Sequence, residues 1–180
     1  MGARKNILLA MVAALAVAAM LLLAACGEEE HTEVIEGEPI ELGDLRYNVA
    51  ITRFLNPDAP DDAEYLEGQQ VAPPGEQYLG VFTTVENEGE ETAPLPETFE
   101  VHDTTGTAYE AVETESPYAL ELGGELAPDQ ALPEPDTPAA NGPIKGSMIL
   151  FMVPESVAEN RPLELEIPSS DGDGTVELDI

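Results

Sequence analysis

An all-β, antiparallel sandwich is the fold class this sequence predicts, and three observations predict it. Apolar residues recur at every second position in several separate stretches, the period of a half-buried strand. Those stretches are short and are parted by turn formers, with 16 Pro and 15 Gly among 180 residues. Beyond residue 26 no apolar stripe of helical period runs for a useful length. Many short strands with frequent turn signals build two packed sheets. The length favours one domain of ordinary size.

The N-terminus obeys a different rule. Arg4 and Lys5 precede an uninterrupted apolar run from Ile7 to Leu23, and small residues Ala24 and Ala25 lead to Cys26, the single cysteine. A positive start, an apolar run and small residues form a secretory signal, set apart from the fold. The run is slightly short of the ~20 residues that span a bilayer as a helix. Leu23-Ala24-Ala25-Cys26 resembles the lipobox of bacterial lipoproteins. That resemblance implies diacylation of the Cys26 thiol and cleavage before it, leaving residues 1–25 as a lipoprotein signal peptide. Two acyl chains give stable anchoring where one does not. Residues 26–40, with Glu28, Glu29 and Glu30 at their head, are acidic and lack a sustained apolar period, so they are expected to be the lipidated cysteine and a solvated tether.

Residues 41–180 carry the strands. Leu45, Tyr47, Val49 and Ile51 alternate with Arg46, Asn48 and Ala50, so all four should face inward. The stretch "YLGVFTTVE" is rich in β-formers and ends at the turn "NEGEE". Phe99 and Val101 alternate with Glu100 and His102 before "DTTG", a hairpin turn into residues 107–112. "MILFMV" is apolar on both faces and should be a central strand covered on two sides. Leu163, Leu165 and Ile167, then Val176, Leu178 and Ile180, alternate with acids that face water. "PESVAEN" makes one short turn between strands. Residues 56–74 and 122–143, rich in acids and prolines, read as surface excursions.

Four pieces in this order, "LRYNVAITRF", "QYLGVFTTVENEGEE", "FEVHDTTGTAYEAV" and "GPIKGSMILFMVPE" with "LELEI", resemble a bacterial domain of unknown function. That domain is common in cell-surface lipoproteins and belongs to the immunoprotective extracellular immunoglobulin-like superfamily. The proline-rich insert before Ile144 departs from its compact pattern. The resemblance implies an immunoglobulin-like sandwich of about seven to eight strands, surface display, and no catalytic residues.

Composition narrows the chemistry. With 37 Asp+Glu against 6 Lys+Arg and a formal charge of −31, the surface repels nucleic-acid phosphate and anionic headgroups. The expected partners are the membrane, through the lipid, and a basic protein or other basic component of the cell envelope, never a nucleic acid. No nucleophile elbow, phosphate cradle or dinucleotide fingerprint is present. Nucleophilic catalysis needs a nucleophile beside an oriented base, and the one thiol is committed to lipid. The two histidines are His31, in the tether, and His102, turned outward beside Glu100 and Asp103. Close carboxylate pairs follow from composition alone, and 5 Tyr, 4 Phe and no Trp make a poor sugar cleft. Met148 and Met152 share one strand face with Leu150 between them and read as core.

Two readings remain. The first is a non-enzymatic, lipid-anchored, extracytoplasmic lipoprotein of the cell membrane, with no cofactor beyond the diacylglycerol and acyl chains on Cys26. The alternative is a calcium-binding module. Its ligands would be Asp58, Asp61, Asp62 and Glu64 in one acidic loop, or Asp171 and Asp173 in "DGDG". Calcium takes six to eight oxygens, and the full calcium-loop consensus is absent.

Overall fold

The computed structural model describes residues 32–180, and those residues form a β-sandwich. The lipobox residues Leu23, Ala24, Ala25 and Cys26, and His31, lie outside the described residues. Twelve strands run in chain order: β1 (Glu33–Ile35), β2 (Pro39–Leu42), β3 (Leu45–Leu55), β4 (Glu76–Asn87), β5 (Ala93–Pro94), β6 (Glu100–His102), β7 (Ala108–Glu110), β8 (Glu125–Leu126), β9 (Ala131–Leu132), β10 (Ser147–Pro154), β11 (Leu163–Ile167) and β12 (Gly174–Leu178). One sheet has the order β1-β12-β11-β6-β7. The other runs β10-β4-β3-β2 with β9 beside β4, and β5 pairs with β8 apart from both. Among the described residues no helix is long and apolar enough to cross a membrane.

Period-two alternation produces the central core. Leu163, Leu165, Ile167 and Val176 from one sheet meet Tyr47, Val49, Val81 and Phe151 from the other, all at most 2 % exposed. Each such aliphatic contributes about 1.5–3 kcal/mol by leaving water. Leu178 and Ile180 complete this layer. Asn87, wholly buried, donates to the carbonyls of Glu91 and Leu126 at 2.8 Å and accepts from Gly89 N–H, which fixes the "NEGEE" turn.

The expected tether ends earlier than its composition suggests. β1 pairs in parallel with β12, placing Glu33 opposite Thr175, Val34 opposite Val176 and Ile35 opposite Glu177, and β2 begins at Pro39. One inward residue, Val34, packs on the core, and Ile40 is 2 % exposed. The acids that made this stretch look solvated lie on the wet side. The Glu36 carboxylate accepts the N–H groups of Thr52 (3.2 Å) and Asp179 (3.3 Å), tying the segment to both sheets. This parallel pair is the exception in an otherwise antiparallel set of strand ladders.

Ile51 does not face inward as the alternation predicts. The β3–β4 ladder slips between Val49 and Ile51, leaving Ala50 without a partner. A bulge of one residue exchanges the faces of everything beyond it. Ile51 is therefore 39 % exposed, Phe54 packs on the central core, and Leu55 joins a second cluster on the opposite face. Arg53 is carried to that outer face too.

β10 is apolar on both sides, as its sequence requires, yet stands at the end of its sheet's order. Ile149, Phe151 and Val153 enter the central core. Met148 and Leu150 enter the second cluster with Tyr65, Tyr78, Phe82 and Tyr118, and Met152 packs against it. Its outer edge is closed by isolated bridges from Ala111 and Ala119, with Val112 N–H to Leu150 O and Met148 N–H to Tyr118 O, both 2.7 Å. At its entry Gly146 adopts φ +143°, and a Cβ there would lie 3.1 Å from Thr83 N, so only glycine fits.

The two supposed excursions are partly structural. Residues 56–74 hold a short helix, Pro60–Ala63, and bury Tyr65 and Leu66 over the outer face of the second sheet. Residues 122–143 supply β8, β9 and the helix Pro138–Asn141, with Leu126 and Ala139 buried. A sheet apolar on both faces needs this covering layer. The "PESVAEN" turn is a 3₁₀ helix, Glu155–Glu159.

Candidate functional site

The acidic loop of the calcium alternative holds Asp58, Asp61, Asp62 and Glu64 in different surroundings. Asp62 is buried, with its Oδ1 2.5 Å from Arg53 Nη2 and its Oδ2 accepting Asn56 N–H at 2.9 Å. Glu64 Oε2 accepts the Tyr118 hydroxyl at 2.8 Å. Asp58 is exposed and its N–H donates to Asn56 Oδ1, while Asp61 is exposed in the short helix. Asp62 ties the covering segment to β3 through Arg53, and Glu64 ties it to Tyr118. In "DGDG", Asp173 accepts Ser169 N–H (3.1 Å) and Asp171 N–H donates to Ser169 Oγ (3.3 Å). That is a side-chain-closed turn between β11 and β12.

The structure brings a different group together. Among the described residues, Glu100, His102 and Glu166 offer three ligand atoms within 4.8 Å of one another. Glu100 and His102 are two positions apart on β6 and so share its wet face. β11 lies antiparallel beside β6, with Glu166 opposite Glu100 and Glu164 opposite His102. Glu166 reaches the imidazole along the diagonal: Nε2 of His102 is 3.2 Å from Glu100 Oε2 and 3.4 Å from Glu166 Oε2. Nε2 is shielded from solvent and lies within ion-pairing distance of both oxygens, without an aligned hydrogen bond. The outward reading of His102 beside Glu100 is right in direction. Glu166 was missed, and only the pairing register of "LELEI" against "FEVH" reveals it.

The surroundings are strongly negative. Glu166, Glu100 and Glu110 lie side by side across three strands, and Glu177 and Glu164 lie side by side in the next row, beside His102. Like charges directly opposite on a sheet face are unfavourable. Asp103, which follows His102, is a structural hub. Its carboxylate accepts the Thr105 hydroxyl at 2.6 Å, the N–H groups of Thr105 and Thr107, and the Tyr109 hydroxyl. The Thr105 hydroxyl, foremost among these donors, holds the carboxyl at about 2.

An open groove of about 810 Å³ lies on the second sheet's side of the molecule. Tyr78, Met148, Leu150 and Met152 line it together with Glu113, Glu115 and Glu121. Met148 and Met152 thus flank Leu150 in apolar packing, as their spacing predicts.

No known protein family and no curated protein matches the chain. Solved structures match in fold. The secreted protein MPT63 from Mycobacterium tuberculosis superposes with a TM-score of 0.53 at 14% identity, over 83% of this chain and 99% of that one. The yjhA protein from Bacillus subtilis gives 0.51 at 16% identity, over 82% and 99%. The protein ycdA of Bacillus subtilis, whose lipoprotein status is inferred, gives 0.50 at 14% identity, over 80% of this chain and 38% of that one. At these identities the likeness is one of architecture, and the chain is similar to β-sandwich proteins of bacteria.

Proposed function

We propose that this protein is a lipid-anchored, non-catalytic module displayed on the extracytoplasmic face of a bacterial membrane. The observation that carries the reading is the lipobox-like Leu23-Ala24-Ala25-Cys26 at the end of the Ile7 to Leu23 run, with acids immediately behind it. In this reading the thiol of Cys26 takes the lipid, the acidic residues after it stand off the anionic membrane surface, and the sandwich presents its loops and groove outward. A rigid β core carrying irregular connections suits recognition. The formal charge of −31 favours a basic partner, whose encounter weakens as salt rises. The proteins of like fold described as secreted or as an inferred lipoprotein agree with this placement.

Radiolabelled palmitate fed to cells expressing the full chain tests the anchor. The reading expects label in the wild type, a mature protein shortened by its signal, and neither in Cys26→Ala. Equal labelling of both proteins, or an intact N-terminus with a bare thiol by mass spectrometry, refutes it.

A further inference from the structure

We propose that Glu100, His102 and Glu166 form a binding site for one divalent transition-metal ion of zinc-like character. The site is independent of the lipid anchor and lies outside both acidic loops that the sequence offered for calcium.

Three features carry the assignment. The donor set is one imidazole nitrogen and two carboxylate oxygens. Zinc accepts that mixture, whereas calcium wants oxygens alone and twice as many of them. The spacing also fits. Zinc–ligand bonds of about 2.05 Å at tetrahedral angles put neighbouring ligand atoms about 3.35 Å apart; Nε2 stands 3.2 and 3.4 Å from the two oxygens, and all three atoms lie within 4.8 Å of one another. Finally, Nε2 is a solvent-shielded polar atom without a hydrogen-bond partner. Two carboxylate oxygens stand within ion-pairing distance of it, and an ion seated among the three donors would engage all of them in place of that imperfect contact.

The scaffold favours the same outcome. β6 and β11 are interior strands of a five-stranded sheet, so the ligands are held on rigid backbone. Glu110, Glu164 and Glu177 add negative potential on the same face and raise the local concentration of cations. A dication between Glu100 and Glu166 also relieves the repulsion of two carboxylates facing each other across the ladder. Three protein ligands leave a tetrahedral ion one open position, and the three side chains around it are partly exposed. A water, or a donor from a binding partner, completes the shell.

Zinc and cobalt(II) titrations of the full chain in detergent test the proposal. The expected result is one high-affinity Zn²⁺ per chain that depends on His102, and a Co²⁺ complex with the intense visible bands of four-coordination. Affinity should fall at least tenfold in His102→Ala and in Glu166→Gln, and stay unchanged in Asp58→Asn/Asp61→Asn. Zinc should raise the melting temperature of the wild type and leave that of His102→Ala unmoved, which reads the site in a folded variant. Wild-type affinity in His102→Ala overturns the proposal, because the zinc is then held by Cys26 or by diffuse acids. Displacement of zinc by equimolar calcium, or no binding at micromolar zinc, overturns it equally.

Discussion

Tyr65 offers the sharpest test of whether residues 56–74 are a structural cover. It is 2 % exposed, meets Phe82 edge-on with ring centroids 5.0 Å apart and Tyr118 at 4.6 Å, and accepts Ile144 N–H at 3.3 Å. Truncating a buried aromatic costs about 3–5 kcal/mol, and each edge-to-face pair accounts for about 0.5–1.5 kcal/mol of that. Tyr65→Ala should therefore lose about 4 kcal/mol, a large part of the 5–15 kcal/mol a domain typically has. For a domain of this size each kcal/mol moves Tm by about 2–4 °C, so the melting point should fall by about 8–16 °C. Tyr65→Phe keeps both ring contacts and loses only the hydroxyl acceptor, about 1 kcal/mol. Calorimetry of the three proteins measures the shifts. Digestion with a glutamate-specific protease should cut at Glu67 far faster in Tyr65→Ala. A fall below about 2 °C with unchanged cleavage would refute the covering role and return the segment to the surface loop its composition suggests.

Other consequences follow from the polar contacts. Arg53→Met leaves the buried Asp62 carboxylate without its cation, and should cost about 1–3 kcal/mol, discounted because the arginine is half exposed. Adding Asp62→Asn should recover part of that loss in urea unfolding, and strict additivity would contradict the pairing. Asp103 is held at about 2, below the ordinary 3.8. Its contribution is thus whole above about pH 4 and fades as pH falls through about 2. Asp103→Asn should be less stable at neutral pH and lose less stability between pH 4 and 2; parallel acid limbs for the two proteins would rule this out. Glu164→Lys replaces a like-charge pair with Glu177 by an opposite one. It should stabilise by about 0.2–1 kcal/mol at low salt, with the gain vanishing in 1 M salt as screening tightens.

Strands whose inward residues alternate without interruption were legible, because burial on one face leaves its period in the chain. β11 and β12 fall where "LELEI" and "TVELDI" put them. Alternation fails at Ile51 because the bulge at Ala50 shifts the period without changing composition. β1 escaped notice because an edge strand of three residues buries one side chain, Val34, among acids. "MILFMV" announced a second covered face and could not say what covers it, since Tyr65 and Leu66 stand isolated in an acidic context. The Glu100, His102 and Glu166 group was half visible. Two members are neighbours in sequence, and the third depends on which strand lies beside β6, a fact of topology.

The parallel entry of β1 beside β12 has a mechanical consequence. A terminal hairpin strand can be peeled away rung by rung when its free end is pulled. Tension on the chain ahead of Thr32, directed back along β1, instead loads the rungs Thr175 N–H to Thr32 O (2.7 Å) and Glu36 N–H to Glu177 O (2.8 Å) together. Force applied there along the strand axis is then resisted in shear by both rungs at once.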